Sequence, residues 1–389
     1  MRGAKIPVGF IPLVDAAPLI VAQEMGFAAE EGLELDLKRA PSWSSLRDML
    51  AFGQVDAAHM LAPAPVAGAL GIGNTGGPMS AISVLSVNGN VVGVSTALAE
   101  RMRAQGHDFA FHDARATGAA LIAAAPDRLR IAVPFPFSMH AELLYYWLNA
   151  LGFPAHQTLD IHTVPPALMA EALRAGEVDA FCVGEPWGSI VVEERLGSLI
   201  LPTSAIWSFA PEKVLAVRSN WATHSDHLCD RLIRAVWRAG RWLASDESRM
   251  LAAEVLAREP YLNMPAEIID RALTGKLTVT PQGLQREVPG FLRFYLGEAT
   301  FPWESQAQWI AHQLAARSGL DPVAAQAAAS PVFRSDLYRR ALADLTTLPP
   351  ESSRTEGRDS APLPAGLSQP ATDNRFFDGQ IFTPARVKR

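Results

Sequence analysis

The segment "HSDHLC" (residues 224–229) contains the residue types that most often bind metal ions in proteins. Its candidate ligands His224, His227 and Cys229 have spacings that match no common zinc motif, and the run leads into a predicted surface helix. Elsewhere the chain has no GxSxG elbow, no phosphate-binding glycine loop and no paired-cysteine motif. The motifs therefore predict no metal site, no cofactor and no enzyme.

The composition is that of a globular protein with two ordinary domains. The chain has 389 residues, of which 49% are hydrophobic and 19% charged, and its formal net charge is -6. Because the net charge is negative and the basic residues are scattered, nothing favours nucleic acid or an anionic membrane as a partner. Cys182 and Cys229 are too few for a disulfide framework and are compatible with a reducing compartment.

The first residues, "MRGAKIPVGFIPLVDAAPLIVAQ", do not read as a secretory signal. A signal needs a continuous apolar core of roughly 7 to 15 residues and a small-residue cleavage site, and here prolines and Asp15 interrupt the apolar stretches. No later segment approaches the ~20 uninterrupted apolar residues that span a bilayer. The sequence therefore predicts a cytoplasmic protein.

A five-residue phrase occurs twice, as GQVDA from Gly53 and as GEVDA from Gly176. Each copy follows an apolar pattern of helical spacing and precedes a short apolar run, which predicts a helix, a glycine stop and a buried strand. This plan is half of a βαβ unit, and "KIPVGFIP" followed by "AAPLIVAQEM" predicts another. Since the copies lie too far apart for a solenoid repeat, they predict two similar α/β domains.

A series of short motifs, spread over nearly the whole chain, resembles the nitrate-binding protein family of substrate-binding proteins (NrtA/CmpA-like), which includes bicarbonate-binding members. The motifs are, in order, "GFIPLVDAAPLIVAQEMGF", "PSWSSLRDML", "DAAHMLAP", "NGN", "PFPFSMHAELLYYWLNALG", "FCVGEPW", "PEKVLAVRSNW" and "FFDGQIF". The resemblance implies an α/β clamp of the periplasmic-binding-protein type (type II), in which the ligand is closed between two lobes. Each lobe is expected to be a mixed sheet flanked by helices.

The predicted elements and the resemblance together give the domain organisation. Residues 1–92 and 206–345 are predicted to form lobe 1 with its extra C-terminal helices, and residues 93–205 are predicted to form lobe 2. Residues 346–389 are rich in Pro, Ser and Gly and predict a poorly packed tail. The phenylalanines of "FFDGQIF", at residues 376–382 of this tail, predict that it docks back onto the body.

The resemblance also implies a ligand-binding set, which is Trp43, Asn90, His140, Gly184 and Lys213. A planar monoanion such as nitrate needs several N–H donors and about one compensating positive charge when it is stripped of water. Lys213 is the candidate for that charge, and the side chains of Trp43, Asn90 and His140 are candidate donors. Gly184 would let the ligand approach backbone N–H groups at a helix start.

Each of these residues also has an ordinary structural interpretation. Trp43 has the type of a core aromatic, and Asn90 that of a turn residue beside glycine. Without a known partner, His140 has the type of a surface histidine, and Lys213 that of a solvated lysine. Gly184 alone is an uninformative glycine before a turn.

The choice of anion and the role of the protein stay open at this stage. Bicarbonate-binding members use a calcium ion held by acidic ligands, and Glu185 is the only acidic residue predicted near the site, which is thin support for calcium. Because no export segment is found, the chain is more similar to the cytoplasmic NasS-type nitrate/nitrite sensor, which acts on an RNA-binding antiterminator (NasT-like). The alternatives are the binding component of a nitrate or bicarbonate ABC transporter, and an enzyme like the related pyrimidine synthases. Those enzymes need a cysteine-rich motif that Cys182 alone cannot supply.

Overall fold

The computed structural model describes residues 3–73, 76–126, 128–296, 298–359 and 373–385. Within these ranges the chain forms thirteen strands. They are β1 (Ala4–Phe10), β2 (Leu33–Arg39), β3 (Ala57–Leu61), β4 (Met79–Asn88), β5 (Asn90–Ser95), β6 (Leu129–Val133), β7 (Leu159–Thr163), β8 (Ala180–Gly184), β9 (Gly197–Pro202), β10 (Pro211–Arg218), β11 (Lys276–Thr278), β12 (Gln285–Glu287) and β13 (Leu292–Arg293).

Helices separate and cover these strands. The α-helices of the described residues are α1 (Ala17–Glu24), α2 (Phe27–Glu30), α3 (Trp43–Ala51), α4 (Pro63–Ala69), α5 (Thr96–Ala104), α6 (Ala114–Ala124), α7 (Met139–Ala150), α8 (Ala155–Thr158), α9 (Met169–Arg174), α10 (Trp187–Glu193), α11 (Ser219–His224), α12 (Asp226–Trp242), α13 (Asp246–Leu256), α14 (Ala266–Thr274), α15 (Glu304–Ser318), α16 (Pro322–Ala329) and α17 (Ser335–Leu342). Short 3-10 helices lie at Val14–Ala16, Pro166–Leu168, Thr203–Ala205 and Ser330–Val332. No helix in the described ranges has both the length and the apolar character needed to cross a membrane.

The strands form two larger sheets, and each contains both parallel and antiparallel pairs. One sheet has the order β13-β4-β10-β3-β1-β2, and the other has the order β7-β6-β8-β5-β9. In the first sheet β1 runs parallel to β2 and β3, while β10 runs antiparallel to β3 and β4. In the second, β6 runs parallel to β7 and β8, while β5 runs antiparallel to β8 and β9. This arrangement confirms the predicted class of mixed sheets flanked by helices.

The repeated phrase marks the same local structure in both sheets. In the first copy α3 ends just before Gly53, and in the second α9 ends just before Gly176. Both glycines have a left-handed backbone, with φ of 74° and 68°, which an L side chain rarely adopts. The chain then enters the buried strands β3 and β8, each of which is paired inside its own sheet. The predicted order of helix, glycine and buried strand is present twice.

The chain crosses between the sheets near Gly89, after β4, and again between β9 and β10. Asn88 joins the two crossing segments through three hydrogen bonds. Its N–H donates to Ala210 O (3.0 Å), its Nδ2 donates to Ser208 O (2.8 Å), and its Oδ1 accepts from Ala210 N (3.2 Å). The first crossing therefore holds the second directly. The lobe bounds given above stay a prediction.

A segment near the C-terminus packs onto the body through aromatic side chains. The Phe376 ring centroid lies 4.8 Å from that of Trp207, 5.2 Å from that of Tyr146 and 5.8 Å from that of Trp309. Tyr146 belongs to α7, so this contact joins the segment to the helix between β6 and β7. Residues 360–372 and 386–389 of the predicted tail lie outside the described residues.

Candidate functional site

A fully buried lysine lies between two carboxylates at the centre of the molecule. Lys213 Nζ is 2.8 Å from Asp15 Oδ2 and 2.8 Å from Glu212 Oε1, and all three side chains are at most 3% exposed. Burial alone would lower the pKa of Lys213, but the two carboxylates outweigh burial and raise it. Lys213 therefore carries its positive charge in the folded protein. We call Lys213, Asp15, Glu212, His59 and His140 the Lys213 cluster.

An irregularity in β10 brings Glu212 to the same side as Lys213. Successive side chains of a regular strand point to opposite faces. Here Pro211 pairs with Val87 and Lys213 with Ser86, so that Glu212 is an extra residue with no partner of its own on β4. Such a bulge turns the strand locally and re-aims a side chain. It lets Glu212 and Lys213, although adjacent, contact each other through their side chains.

Asp15 contacts a histidine as well as Lys213. Its Oδ1 lies 2.9 Å from His59 Nε2, and both side chains are buried. Burial would raise the pKa of Asp15, but Lys213 and then His59 hold it well below its usual range. Burial lowers the pKa of His59, so its ring is neutral at pH 7. Asp15 is thus ionised and held between a lysine and an imidazole.

Trp43 lies beside this group and begins α3. The Lys213 ammonium is 5.5 Å from the Trp43 ring centroid, and the His59 ring is 5.6 Å from it. Ser42 caps the helix, because its hydroxyl accepts a hydrogen bond from Ser45 N (3.2 Å). The cap fixes where the helix starts and therefore where the indole lies.

The second sheet contributes the other predicted residues. Asn90 and Gly184 are paired across β5 and β8. A Cβ at Gly184 would lie 3.3 Å from Asn90 Oδ1 and 3.7 Å from Asp15 Oδ2, so the absence of a side chain permits this close approach. His140 stands in the first turn of α7, which Ser138 caps, and its Nδ1 is 3.5 Å from Glu212 Oε1. Burial first, and then the charge of Lys213, lower the pKa of His140 well below its usual value.

Several buried side-chain nitrogens at this place make no hydrogen bond within the described part of the chain. They include Trp43 Nε1, Asn90 Nδ2 and His140 Nε2. Trp43 and His140 are at most 1% exposed. More than nine in ten buried polar groups in proteins have a hydrogen-bond partner. Trp43 Nε1 and His140 Nε2 come from elements on different sheets, and their lack of a partner needs an explanation. A small ligand with acceptor oxygens would satisfy both nitrogens.

The five sequence-predicted residues therefore converge on one buried region. The interpretations of Lys213 as a solvated lysine and of His140 as a surface histidine are wrong, because neither side chain is accessible to solvent. Sequence reasoning missed Asp15, His59 and Glu212. A charged residue inside the apolar run "PLVDAAPLI" and the acid that directly precedes Lys213 in "PEK" were the available signals.

The charge balance changes the role predicted for Lys213. Asp15 already neutralises the ammonium, and any ionisation of Glu212 leaves the cluster with an excess of negative charge because both histidines are neutral. Burial raises the pKa of Glu212, although Lys213 opposes this. Lys213 is thus not a free charge that waits for an anion. An entering monoanion would require the cluster to lose negative charge elsewhere, and protonation of Glu212 is the direct way.

Glu185 lies next to the cluster, directly after β8, and connects the two halves of the molecule. Its backbone oxygen accepts from Val14 N (2.9 Å), and its Oε2 accepts from Ser189 N (3.1 Å) at the start of α10. Nearby, Trp187 Nε1 donates to Pro12 O (3.0 Å). These hydrogen bonds join the loop after β8 to the loop after β1.

Among the described residues no group of three or more His, Cys, Asp or Glu side chains is arranged to hold a metal ion. The sequence interpretation that Glu185 is the only acid near the site is wrong, since Asp15 and Glu212 are closer to Lys213. Both of these acids are already engaged by its ammonium. In the "HSDHLC" segment, Cys229 is buried in the core while His224 and His227 are exposed.

Comparison with known proteins gives consistent matches over most of the chain. The profile of the NMT1-like family matches residues 2–257. The nitrate/nitrite binding protein NrtA of Synechococcus elongatus is 30% identical over 395 residues, which cover 97% of this chain and 83% of that protein. The nitrate import ATP-binding protein NrtC of Synechocystis sp. is 34% identical over 319 residues, which cover 80% of this chain but 46% of that protein. The chain thus spans less than half the length of this last relative.

The fold is also that of a solved structure. The crystal structure of the periplasmic nitrate-binding protein NrtA from Synechocystis PCC 6803 matches with a TM-score of 0.83 at 27% identity, and the match covers 98% of this chain and 96% of that one. These similarities confirm the resemblance and the two-lobed fold predicted from the motifs. The closer similarity to the NasS-type sensor stays a prediction.

Glu185 gives a test of the electrostatics of this region. Burial raises its pKa from the ordinary 4.5 to about 7, so Glu185 favours the folded state at low pH, and this contribution is lost as the pH rises toward and past about 7. We expect Glu185→Gln to be stabilised relative to the wild type by up to roughly 3 kcal/mol more at pH 8 than at pH 5. Urea unfolding at both pH values measures the difference. Glu254→Gln, a change at an exposed glutamate of α13, should leave it near zero. A difference for Glu185→Gln that does not grow with pH would contradict the assignment.

Proposed function

The chain belongs to the NMT1-like family, and we propose that it binds nitrate or nitrite at the Lys213 cluster without transforming it. The observation that carries the proposal is the pair of unpaired buried nitrogens, Trp43 Nε1 and His140 Nε2, which come from elements on the two sheets and lie near a buried ammonium and its carboxylates. A small anion with several oxygens can accept hydrogen bonds from both nitrogens at once. The nitrate/nitrite binding relative supports this ligand class.

Binding would also hold the two sheets together. Trp43 and Lys213 belong to elements on the six-stranded sheet, whereas His140 and Gly184 lie on elements of the five-stranded sheet. A ligand that contacts both sides can favour a closed form only through its greater affinity for that form. The hydrogen bond from Val14 N to Glu185 O joins the loops on the two sides and has its full effect only when they are together.

We place the protein in the cytoplasm as a sensor whose ligand-free form binds an RNA-binding antiterminator (NasT-like) and whose anion-bound form releases it. The resemblance of the motifs to the nitrate-binding family supports the anion-binding part of this role. A second candidate is the substrate-binding component of a nitrate or bicarbonate ABC transporter. The relative named as a nitrate import ATP-binding protein favours it. In both roles the anion site and its closure are the same, and only the macromolecular partner differs.

We expect calorimetry to show nitrate or nitrite binding with a Kd in the micromolar range, which corresponds to a favourable binding free energy of about 8 kcal/mol. Lys213→Gln should weaken binding by about 100-fold or more, since it removes the positive charge of a buried pair. Trp43→Phe removes one N–H donor and should weaken binding by about 5-fold. Circular dichroism establishes that each variant is folded.

Lys276→Gln, at an exposed lysine, is the matched control and should bind like the wild type. Equal losses in the Lys213 and Trp43 variants would refute the ranking. No heat with nitrate or nitrite, together with clear binding of bicarbonate in the presence of calcium, would refute the ligand assignment.

The charge balance predicts that the protein takes up a proton when a monoanion binds. Burial raises the pKa of Glu212 in the folded protein, so its carboxyl loses its proton above the ordinary pH range of a glutamate. Because nitrate binding requires this carboxyl to be protonated, nitrate affinity should fall by up to about tenfold per pH unit as the proton is lost. Affinity measured from pH 5.5 to 8.5 checks this. In Glu212→Gln the amide still accepts from Lys213 but carries no charge, so binding should be tighter at pH 8.5 and nearly independent of pH.

The other titratable groups of the region are potential proton acceptors too. They are Asp15, His59, His140 and Glu185, whereas Cys182 is already a protonated thiol because burial raises its pKa. A pH dependence that persists unchanged in Glu212→Gln would assign the proton to one of them and reject Glu212.

The proposed role is tested by the partner. If a partner binds the open form, linkage requires the anion and the partner to weaken each other's binding by the same factor. We expect a co-expressed NasT-like antiterminator to co-purify with the chain and to be released by nitrate or nitrite. A complex that survives saturating amounts of both anions would exclude the release mechanism. Co-purification with a membrane permease and an ATPase instead would establish the transport role.

A further inference from the structure

A second pocket lies at the junction of the two sheets, away from the Lys213 cluster. Its volume is ≈ 570 Å³, which is within the range of small-molecule sites. It is lined by residues from 110–112 before α6, from 202–208 between β9 and β10 and from 286–293 between β12 and β13, and by Asp373. No residue of the Lys213 cluster is among the lining residues.

Two half-buried arginines, Arg286 and Arg293, line this pocket. Neither has a carboxylate within 4 Å in the part of the chain that the structure describes. Arg286 donates from Nε to Phe109 O (3.1 Å) and from Nη1 to Gln285 O (3.1 Å), which orients its guanidinium. The Arg293 guanidinium lies 5.9 Å from the ring centroid of Phe209. Glu287 and Asp373 also line the pocket, but within the described residues neither forms an ion pair with Arg286 or Arg293.

The backbone is shaped to hold Arg293. Gly290 has a φ of 68°, and a Cβ there would lie 2.6 Å from Arg293 Nε, so the glycine leaves room for the guanidinium in its present position. Burial lowers the pKa of Arg293, while Asp373 opposes this from a distance. Asp373 accepts a hydrogen bond from Ser208 Oγ (3.1 Å) and lies 3.9 Å from Arg375 Nε, so it is engaged elsewhere. A partly desolvated cation without a partner is costly, and a bound anion would offset that cost.

We propose that this pocket is a second binding site, which takes a small organic anion through Arg286 and Arg293. A guanidinium matches the geometry of a carboxylate or a phosphate group, and it can donate two parallel hydrogen bonds to either. The walls formed by Ala110, Phe111 and Val288 are apolar and suit a short carbon skeleton. The expected ligand is thus larger than nitrate. The site is separate from the anion site proposed at the Lys213 cluster.

The test uses the full chain and two small organic anions as probes. Glutarate represents a carboxylate ligand and glycerol phosphate represents a phosphate ligand. Glutaramide is the uncharged analogue. We expect at least one of the two anions to bind with a Kd of about 1 mM or tighter by calorimetry, and glutaramide not to bind. Arg293→Gln and Arg286→Gln should each weaken binding at least tenfold. Arg293→Lys keeps the charge but loses the paired donors, and should bind less tightly than the wild type.

Arg115→Gln is the matched control. Arg115 also lies 5.9 Å from a phenylalanine ring, that of Phe377, but it is exposed and outside the pocket. It should bind the probes like the wild type. Binding should also persist in saturating nitrate, which separates this site from the Lys213 cluster whether or not nitrate binds there. Absence of binding by both anions, or equal binding by Arg293→Gln and Arg115→Gln, would overturn the proposal.

Discussion

A lysine ammonium that has no water around it must find negative charge within contact distance, and much of the structure around the candidate site follows from this requirement. Lys213 is inside the six-stranded sheet, and Asp15 and Glu212 both contact its Nζ at 2.8 Å. Asp15 comes from the 3-10 helix after β1, and Glu212 is turned toward the lysine by the bulge in β10. The lysine thereby fixes the loop after β1 and the irregular part of β10 in one arrangement.

The same requirement would limit which anions the candidate site could accept. Around a lysine that is already balanced by Asp15, each additional negative charge must be compensated by a proton or by neutral N–H donors. Neutral histidines and an indole suit a monoanion, whose charge is small and spread over several oxygens. A dianion such as sulfate would need a second proton in the same buried volume, so charge as well as size would discriminate against it.

How far the sequence predicts this site depends on the kind of information each residue carries. The mixed α/β sheets follow from local patterns, because the helix, the glycine with positive φ and the apolar strand are all encoded within about twenty residues around Gly53 and Gly176. Glu212 is different. Strand alternation places it on the face opposite Lys213, and only the pairing of β10 with β4 produces the bulge that reverses this. His59 likewise looks like one residue of an apolar strand until Asp15 is brought beside it by the packing of β1 against β3.

The hydrogen bonds of Asn88 have a mechanical consequence. Two segments connect the sheets, one at Gly89 and one between β9 and β10, and two independent flexible connections would permit sliding and twisting as well as rotation. Asn88 joins them through its backbone N–H and both ends of its amide, to Ser208 and Ala210. Segments joined in this way form one hinge rather than two independent ones. Any rotation of one half against the other must therefore keep these two segments together, which disfavours sliding and would couple the site to the distant outer surface.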